Sequence, residues 1–280
     1  MPSPMPDPAV LLDSWPWKIA IAVVILAVRE MVRRFPLGNP KSENRRAVLE
    51  TIDSAALTVV LVLFVVQPFI LQPFKIPSGS MENTLQVDDR ILVSKFLYRL
   101  RAPQRGDAIV FRAVPSRAKE PDETWIKRCI GTPGQVITII NNRLTVDGVY
   151  VPQPYTYWDE QGFTSYDLKI IGGVVYARDH TDPESPGRWA VDHVPVDEPL
   201  QSRLDMLPSQ PIPPGKLLML GDHRNDSDDG HYWGLLDQDR VVGKAICVFW
   251  PPRRWGTLDR MSEKSDAPTR TSDGLAVASG

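Results

Sequence analysis

A surplus of charge of either sign is missing from this sequence: 32 lysines and arginines face 34 aspartates and glutamates, for a net charge of −2. That balance removes the electrostatic case for nucleic acid as a partner, so function has to be sought in local sites. Cysteine is scarce as well. Cys129 and Cys247 lie far apart with no metal-ligand spacing, and their apolar, strand-like surroundings favour two buried free thiols, with a single disulfide as the alternative. Histidine is limited to His180, His193, His223 and His231, and no internal repeat is visible. What is present is a chain of 280 residues, 42% hydrophobic, enough to bury the core of one large or two ordinary domains.

One apolar run is long. Between Asp53 and Lys75 stand 21 residues without a charge, "SAALTVVLVLFVVQPFILQPF". At about 1.5 Å per residue such a helix just covers a hydrocarbon core of about 30 Å, so residues 54–74 are expected to span a membrane. Pro68 and Pro73 place the end of regular helix near Val66 and Gln67. A shorter run, Ile19 to Val28, is expected as a first span over about residues 17–32, with Trp15 and Trp17 at the headgroups and Lys18 snorkelling. Residues 29–46 between them carry Arg29, Arg33, Arg34, Lys41, Arg45 and Arg46 against Glu30 and Glu43, which puts this loop in the cytoplasm and the chain after Lys75 outside.

The remainder reads as mainly β. "RILVSKFLY", "DAIVF", "QVITIINNRLTVDGVYV", "IGGVVYA", "KLLMLG" and "VVGKAICVFW" are short runs of β-branched and aromatic residues punctuated by Gly, Pro and Asp. Within them "VDGV", Val146 to Val149, predicts a two-residue hairpin turn. The expected organisation is an N-terminal segment over 1–53, the span at 54–74, a β domain over 75–255 with a loop-laden insertion at about 152–214, and a disordered polar tail at 256–280.

Chemistry enters at "IPSGSMENTL", where two serines flank a glycine just after the apolar run. A serine hydroxyl is a poor nucleophile until a base within hydrogen-bond reach takes its proton. The candidate base is Lys127 in "WIKRCIGTPGQ", whose apolar neighbours would desolvate the amine and favour its neutral form. His223 and His231 are the rival bases. Further on stands "GDHRNDSDDGHYWG", Gly221 to Gly234, at the end of the "KLLML" strand.

From about Phe69 to Pro251 the chain resembles the bacterial type I signal peptidases, through "PSGSMENTL", "DDRILVSKFLY", "RGDAIVF", "KRCIGTPG", "GDHRNDSDDG...WG" and "VVGKAICVFWP" in order. The resemblance implies a signal-peptidase-type β-sheet catalytic domain behind one or two transmembrane helices, in the bacterial cytoplasmic membrane with the catalytic domain on its extracytoplasmic face. It implies a serine endopeptidase that removes signal peptides from exported preproteins after small residues, Ala-X-Ala, with the lipid bilayer as its other partner and neither cofactor nor metal. By the same resemblance Ser80 is the nucleophile, Lys127 the general base, and Ser78 contributes a hydroxyl to the oxyanion hole beside the Ser80 amide. Ser227 orients the Lys127 amine, Asp222 pairs with Arg128, and Asp229 supports the site. Ile76, Met81, Leu85 and Ile126 wall the substrate pocket.

The departures from the family pattern are Asn83 in place of proline, Asp88 in place of glycine, and Gln135 in place of the aspartate of a "PGD" turn. Gly230 and His231 replace Ser and Arg after Asp229, so His231 is expected to take the arginine's place as partner of Asp229. Read as a calcium loop, the box offers Asn225, Ser227 and Asp229 but has Leu236 in place of the closing glutamate. Two other readings are a self-cleaving Ser-Lys protease of the repressor type, which the expected span opposes, and an inactive envelope-binding module. Such a module has no need of Ser80, Lys127, Ser78 and Ser227 together.

Overall fold

The computed structural model describes residues 15–34, 43–62, 71–120, 123–159, 164–180 and 187–258. Two helices come first, α1 (Trp15–Arg34) and α2 (Glu43–Leu61). The strands follow in the order β1 (Leu71–Lys75), β2 (Arg90–Ser94), β3 (Ala108–Arg112), β4 (Thr124–Gly131), β5 (Ile137–Ile140), β6 (Arg143–Val146), β7 (Val149–Tyr150) and β8 (Ser165–Ile171). After them come β9 (Val174–His180), β10 (Ala190–Val191), β11 (Val194–Pro195), β12 (Lys216–Leu220), β13 (Leu236–Asp237), β14 (Val241–Trp250) and β15 (Gly256–Thr257). Three short helices interrupt them, α3 (Leu97–Leu100), α4 (Glu198–Met206) and α5 (Gly230–Trp233).

No described helix is long and apolar enough to cross a membrane. Helix α1 covers the expected first span, but Lys18, Arg29 and Glu30 fall inside it. Helix α2 begins among charged residues and reaches Leu61 with only the stretch after Asp53 uncharged. The last part of the expected span, Leu71 to Phe74, is sheet rather than helix: β1 pairs with β2 from Leu71↔Ser94 to Lys75↔Arg90, and Phe74 packs on the core. Residues 63–70, where the helix was expected to end, lie outside the described residues. Helices α1 and α2 lie side by side, with Val24, Ile25 and Val28 facing Ile52, Ala55, Ala56 and Val59 across a shared hollow, and Arg29 ion-paired with Asp53.

Two antiparallel sheets make up the rest. The first runs β1-β2-β14-β3-β4-β12-β13, with β15 added on β14; the second runs β11-β10-β9-β8-β5-β6-β7. The second sheet is a string of hairpins whose two-residue turns have positive φ at both positions: Asn141 and Asn142, Asp147 and Gly148, Gly172 and Gly173, Asp192 and His193. Such turns match the twist of the flanking strands, and the Asp147-Gly148 turn stands where the sequence placed it. Strands β8 to β11 and helix α4 therefore order much of residues 152–214. Helix α4 starts at an Asp197 cap, whose carboxylate accepts the Leu200 amide at 3.0 Å.

Three apolar clusters fill the interior. One holds Ile137, Ile139, Leu144, Leu168 and Ile170 under the second sheet together with Leu218 and Leu220 of β12. A second holds Ile76, Met81, Leu85, Ile91, Val93 and Val110, and a third Ile109, Phe111, Cys129, Leu217 and Met219. The tail begins later than its composition suggests, because β15 pairs with Cys247 and Val248 and Leu258 is buried in the second cluster. Residues 259–280 lie outside the described residues. Cys129 and Cys247 are free thiols, the first fully buried.

Candidate active site

The Ser-Gly-Ser turn leaves β1 and closes on itself. Ile76 N–H donates to the Asp89 carbonyl at 2.9 Å and Asp88 N–H returns to the Ile76 carbonyl at 2.9 Å. Asp88 sits at φ 70, a left-handed conformation that glycine takes freely and aspartate tolerates, which accounts for the substitution there. Inside the turn, Glu82 N–H bonds the Gly79 carbonyl and Leu85 N–H the Met81 carbonyl. This coil drives Met81 and Leu85 into the core, leaving Ser80 half-buried and Ser78 exposed.

Strand β4 supplies the lysine. Alternation along the strand sends Ile126 to the cluster of Ile76, Met81 and Leu85, while Trp125 and Cys129 join the cluster of Ile109 and Phe111. Lys127 is 4% exposed, and its ammonium nitrogen donates to the Ser227 hydroxyl at 3.0 Å. Burial pushes the amine well below the ordinary lysine range, against the opposing fields of Asp229, Asp228, Asp222 and Asp226.

The loop after β12 closes the site. A Cβ on Gly221 would stand 2.2 Å from the Ser227 Oγ and 2.6 Å from the Ser80 carbonyl oxygen, so this glycine lets the two serine segments meet. His223 N–H donates to that Ser80 carbonyl at 3.2 Å. On its other side the loop takes Tyr157: the Tyr157 amide bonds the Asp222 carbonyl at 2.7 Å, and the Arg224 amide bonds the Tyr157 carbonyl at 2.9 Å. Asn225 fastens the same segment through its side-chain amide, which donates to Asp159 Oδ1 at 3.0 Å.

Under the loop lies a buried ionic knot. Arg128 grips Asp222 with Nε at 2.7 Å and Nη2 at 2.5 Å, donates Nη1 to the Gly106 carbonyl at 2.9 Å, and stacks over Tyr155 at 4.1 Å. Thr84 donates its hydroxyl to Asp222 at 2.5 Å. Thr84 carries no signal in the sequence beyond its place near Ser80, and its role was not foreseen.

Asp229 is used differently from expectation. Its carboxylate caps α5, accepting the amides of Gly221 at 2.7 Å and His231 at 2.9 Å. With those oxygens engaged by backbone, the His231 ring turns the other way. Its Nε2 lies 2.8 Å from Asp179 of β9, and the ring sits between Tyr166 and Tyr232 with centroids 4.6 and 4.5 Å away. His223 points its ring at Asp159, 3.3 Å off, and meets Ser80 through the backbone. Gln135 replaces the turn aspartate competently, its side-chain oxygen accepting the Thr132 amide at 2.9 Å and hydroxyl at 3.1 Å. The side chains of the calcium reading are engaged elsewhere. Asn225 is bound to Asp159, Ser227 to Lys127 and Asp229 to backbone amides, and among the described residues no group of three or more His, Cys, Asp or Glu is placed to hold a metal ion.

The site thus joins a serine turn, a buried lysine and a loop serine from three distant parts of the chain. A family profile described as signal peptidase, peptidase S26, matches residues 48–250 and includes all three. The chain belongs to the signal peptidase family. It is 32% identical over 244 residues to signal peptidase I of Pseudomonas aeruginosa, covering 78% of this chain and 79% of that one. To signal peptidase IB of Staphylococcus aureus it is 32% identical over 207 residues, covering 74% and 92%. To signal peptidase I of Leptolyngbya laminosa it is 30% identical over 224 residues, covering 79% and 88%. This family member is a hydrolase that cleaves signal peptides from preproteins.

Proposed function

We propose that cleavage proceeds through a Ser80–Lys127 dyad. Ser80 Oγ attacks the scissile carbonyl carbon while Lys127 Nζ takes the hydroxyl proton and passes it to the leaving amine. Water activated by the same amine then hydrolyses the acyl-enzyme. The Ser80 amide and the Ser78 hydroxyl face the developing oxyanion, a contribution of about 3 to 4 kcal/mol per donor in comparable sites. The observation that carries this reading is the contact of the buried Lys127 with Ser227 at 3.0 Å, next to the glycine that also touches Ser80. A lysine whose hold on its proton is weakened by burial, and whose amine is aimed by one hydroxyl, suits the role of base.

Ile76, Met81, Leu85 and Ile126 gather in one cluster, three of them fully buried and Ile126 partly exposed. Such apolar walls favour alanine-sized side chains at the first and third positions before the cut, hence Ala-X-Ala. The catalytic unit spans 75–255 and works outside the cytoplasmic membrane, anchored by the segment before it. Support comes from the apolar residues that α1 and α2 turn outward, Ile19, Val23, Leu26, Leu57 and Val60 among them, which suit lipid better than water.

The deciding experiment is cleavage of an Ala-X-Ala preprotein in detergent by wild type, Ser80→Ala and Lys127→Ala. Both variants should be inactive, and the double variant no worse than either, since nucleophile and base act as a unit. Substantial turnover by Lys127→Ala would return the role of base to a histidine. For the anchor, a reporter active only outside the membrane should work when fused after Trp250 and fail near Asn39. Activity near Asn39 would reverse the orientation.

A further inference from the structure

The tip of the loop carries a charge contact that the dyad chemistry leaves unused. Asp228 directly follows Ser227, and its Oδ2 lies 3.9 Å from Nη1 of Arg117, a residue of the connection between β3 and β4. Nη2 of the same guanidinium is ion-paired with Asp192, in the turn between β10 and β11. A single planar fork therefore joins the catalytic loop to a hairpin of the second sheet. That hairpin also touches the helix that follows the loop, because His193 stacks on Tyr232 of α5 with ring centroids 3.7 Å apart.

Two consequences reach Lys127. Movement of the tip would carry Ser227 with it and disturb the 3.0 Å contact that aims the amine. The tip also brings charge. Four carboxylates, Asp229, Asp228, Asp222 and Asp226, act to keep a proton on Lys127. Asp222 is engaged by Arg128 and Asp229 by backbone amides, and Asp226 lies 4.0 Å from His223. Asp228, raised by its burial, is faced by Arg117 and Lys127 with Asp229 and Asp192 as the further charges around it.

We propose that Arg117 is a positioning residue for the peptidase reaction, bridging Asp192 and Asp228 so that the Ser227–Lys127 contact is fixed and the negative charge beside the base is offset. The inference rests on the Ser80–Lys127 reading.

The test follows preprotein cleavage against pH, with thermal melting alongside, for the full-length enzyme in detergent carrying Arg117→Gln, Arg117→Lys, Asp228→Asn or Lys127→Ala. Arg117→Gln should lower kcat on the order of tenfold with little change in KM, and Arg117→Lys should recover part of the loss. The rising limb of the pH profile should move toward alkaline pH in Arg117→Gln, because Asp228 is left unopposed. In Asp228→Asn it should move toward acid pH, because an anion that retains the lysine proton is gone. A brace without electrostatic effect would lower melting in both and leave the limbs in place; that outcome, or two shifts of the same sign, overturns the proposal. An active Lys127→Ala overturns the dyad and this inference together, whereas an inactive Lys127→Ala beside an unshifted Arg117→Gln overturns the inference alone.

Discussion

Gly221 presses against Ser227 so closely that a methyl group in place of its hydrogen would sit 2.2 Å from the hydroxyl oxygen. On the same side the Ser80 carbonyl would be 2.6 Å away, and backbone cannot swing aside as a flexible side chain can. Gly221→Ala should therefore separate the two serine segments. Activity is expected to fall below detection in a preprotein assay, with melting lowered but the far-ultraviolet spectrum of the β domain retained.

Lys127 should trade stability for catalysis. Its folded-state proton affinity is depressed by burial, so the unfolded chain binds more protons, and stability rises with pH from the depressed value up to the unfolded lysine value. Lys127→Met, which buries an apolar chain of similar length, should abolish cleavage while raising the melting temperature. The gain should be larger at pH 6 than at pH 10. Equal or lower melting of the variant at both values would show that the amine is not penalised.

The Asp222–Arg128 pair is a different case, since both partners are buried and their bonds nearly all internal. Removing one partner strands the other charge. Asp222→Ala should cost about 3 to 5 kcal/mol in urea unfolding, and Thr84→Val about 1 to 3 kcal/mol, because one hydroxyl serves both ions.

Alkali should unfold the protein from within. Burial pushes the Cys129 thiol and the Tyr166 hydroxyl up to about 12 and raises Tyr98, Tyr155 and Tyr232 as well. Groups raised in the folded state stabilise fully below their unfolded values and lose that contribution as pH climbs through the folded ones. Melting should therefore decline steadily above the ordinary thiol and phenol range. Acid acts through Asp107: burial raises it, but Arg101, Lys244 and the Gln104 amide outweigh that and leave it low. Its contribution is present above the unfolded aspartate value and fades as pH falls through the lowered one. Asp107→Asn should flatten the acid side of the melting curve.

Local patterns carried much of this structure. The strands of the first sheet follow from β-branched runs, and Asp147-Gly148 announces its hairpin because few other pairs accept two positive φ angles. The same conformation at Asn141-Asn142 and Asp192-His193 was legible in principle from residues that tolerate it, as was α4 from its Asp-Glu-Pro start. What stayed hidden depends on contacts across the chain. The strand Leu71–Lys75 is as apolar as a helix end, and only pairing with Arg90–Ser94 decides between them. His231 could not be assigned from its neighbours, because Asp229 is already engaged by two amides and the available carboxylate, Asp179, belongs to the other sheet. The Ser78-Gly79-Ser80 turn and Lys127 as a candidate base stand out from the residues themselves, whereas the separate roles of the two serines and the part of Ser227 come only through the family resemblance.

The loop after β12 sets the moment at which the protein acquires its chemistry. Ser80 and Lys127 leave the ribosome early, but the Lys127–Ser227 contact spans 100 residues of chain, Arg128–Asp222 spans 94 and Thr84–Asp222 spans 138. Contacts of such separation form only after the intervening loops have closed. If the proposed dyad holds, a nascent chain that has exposed Ser80 and Lys127 still lacks the Ser227 hydroxyl that would aim the amine, so activity would wait until the loop after β12 has been made.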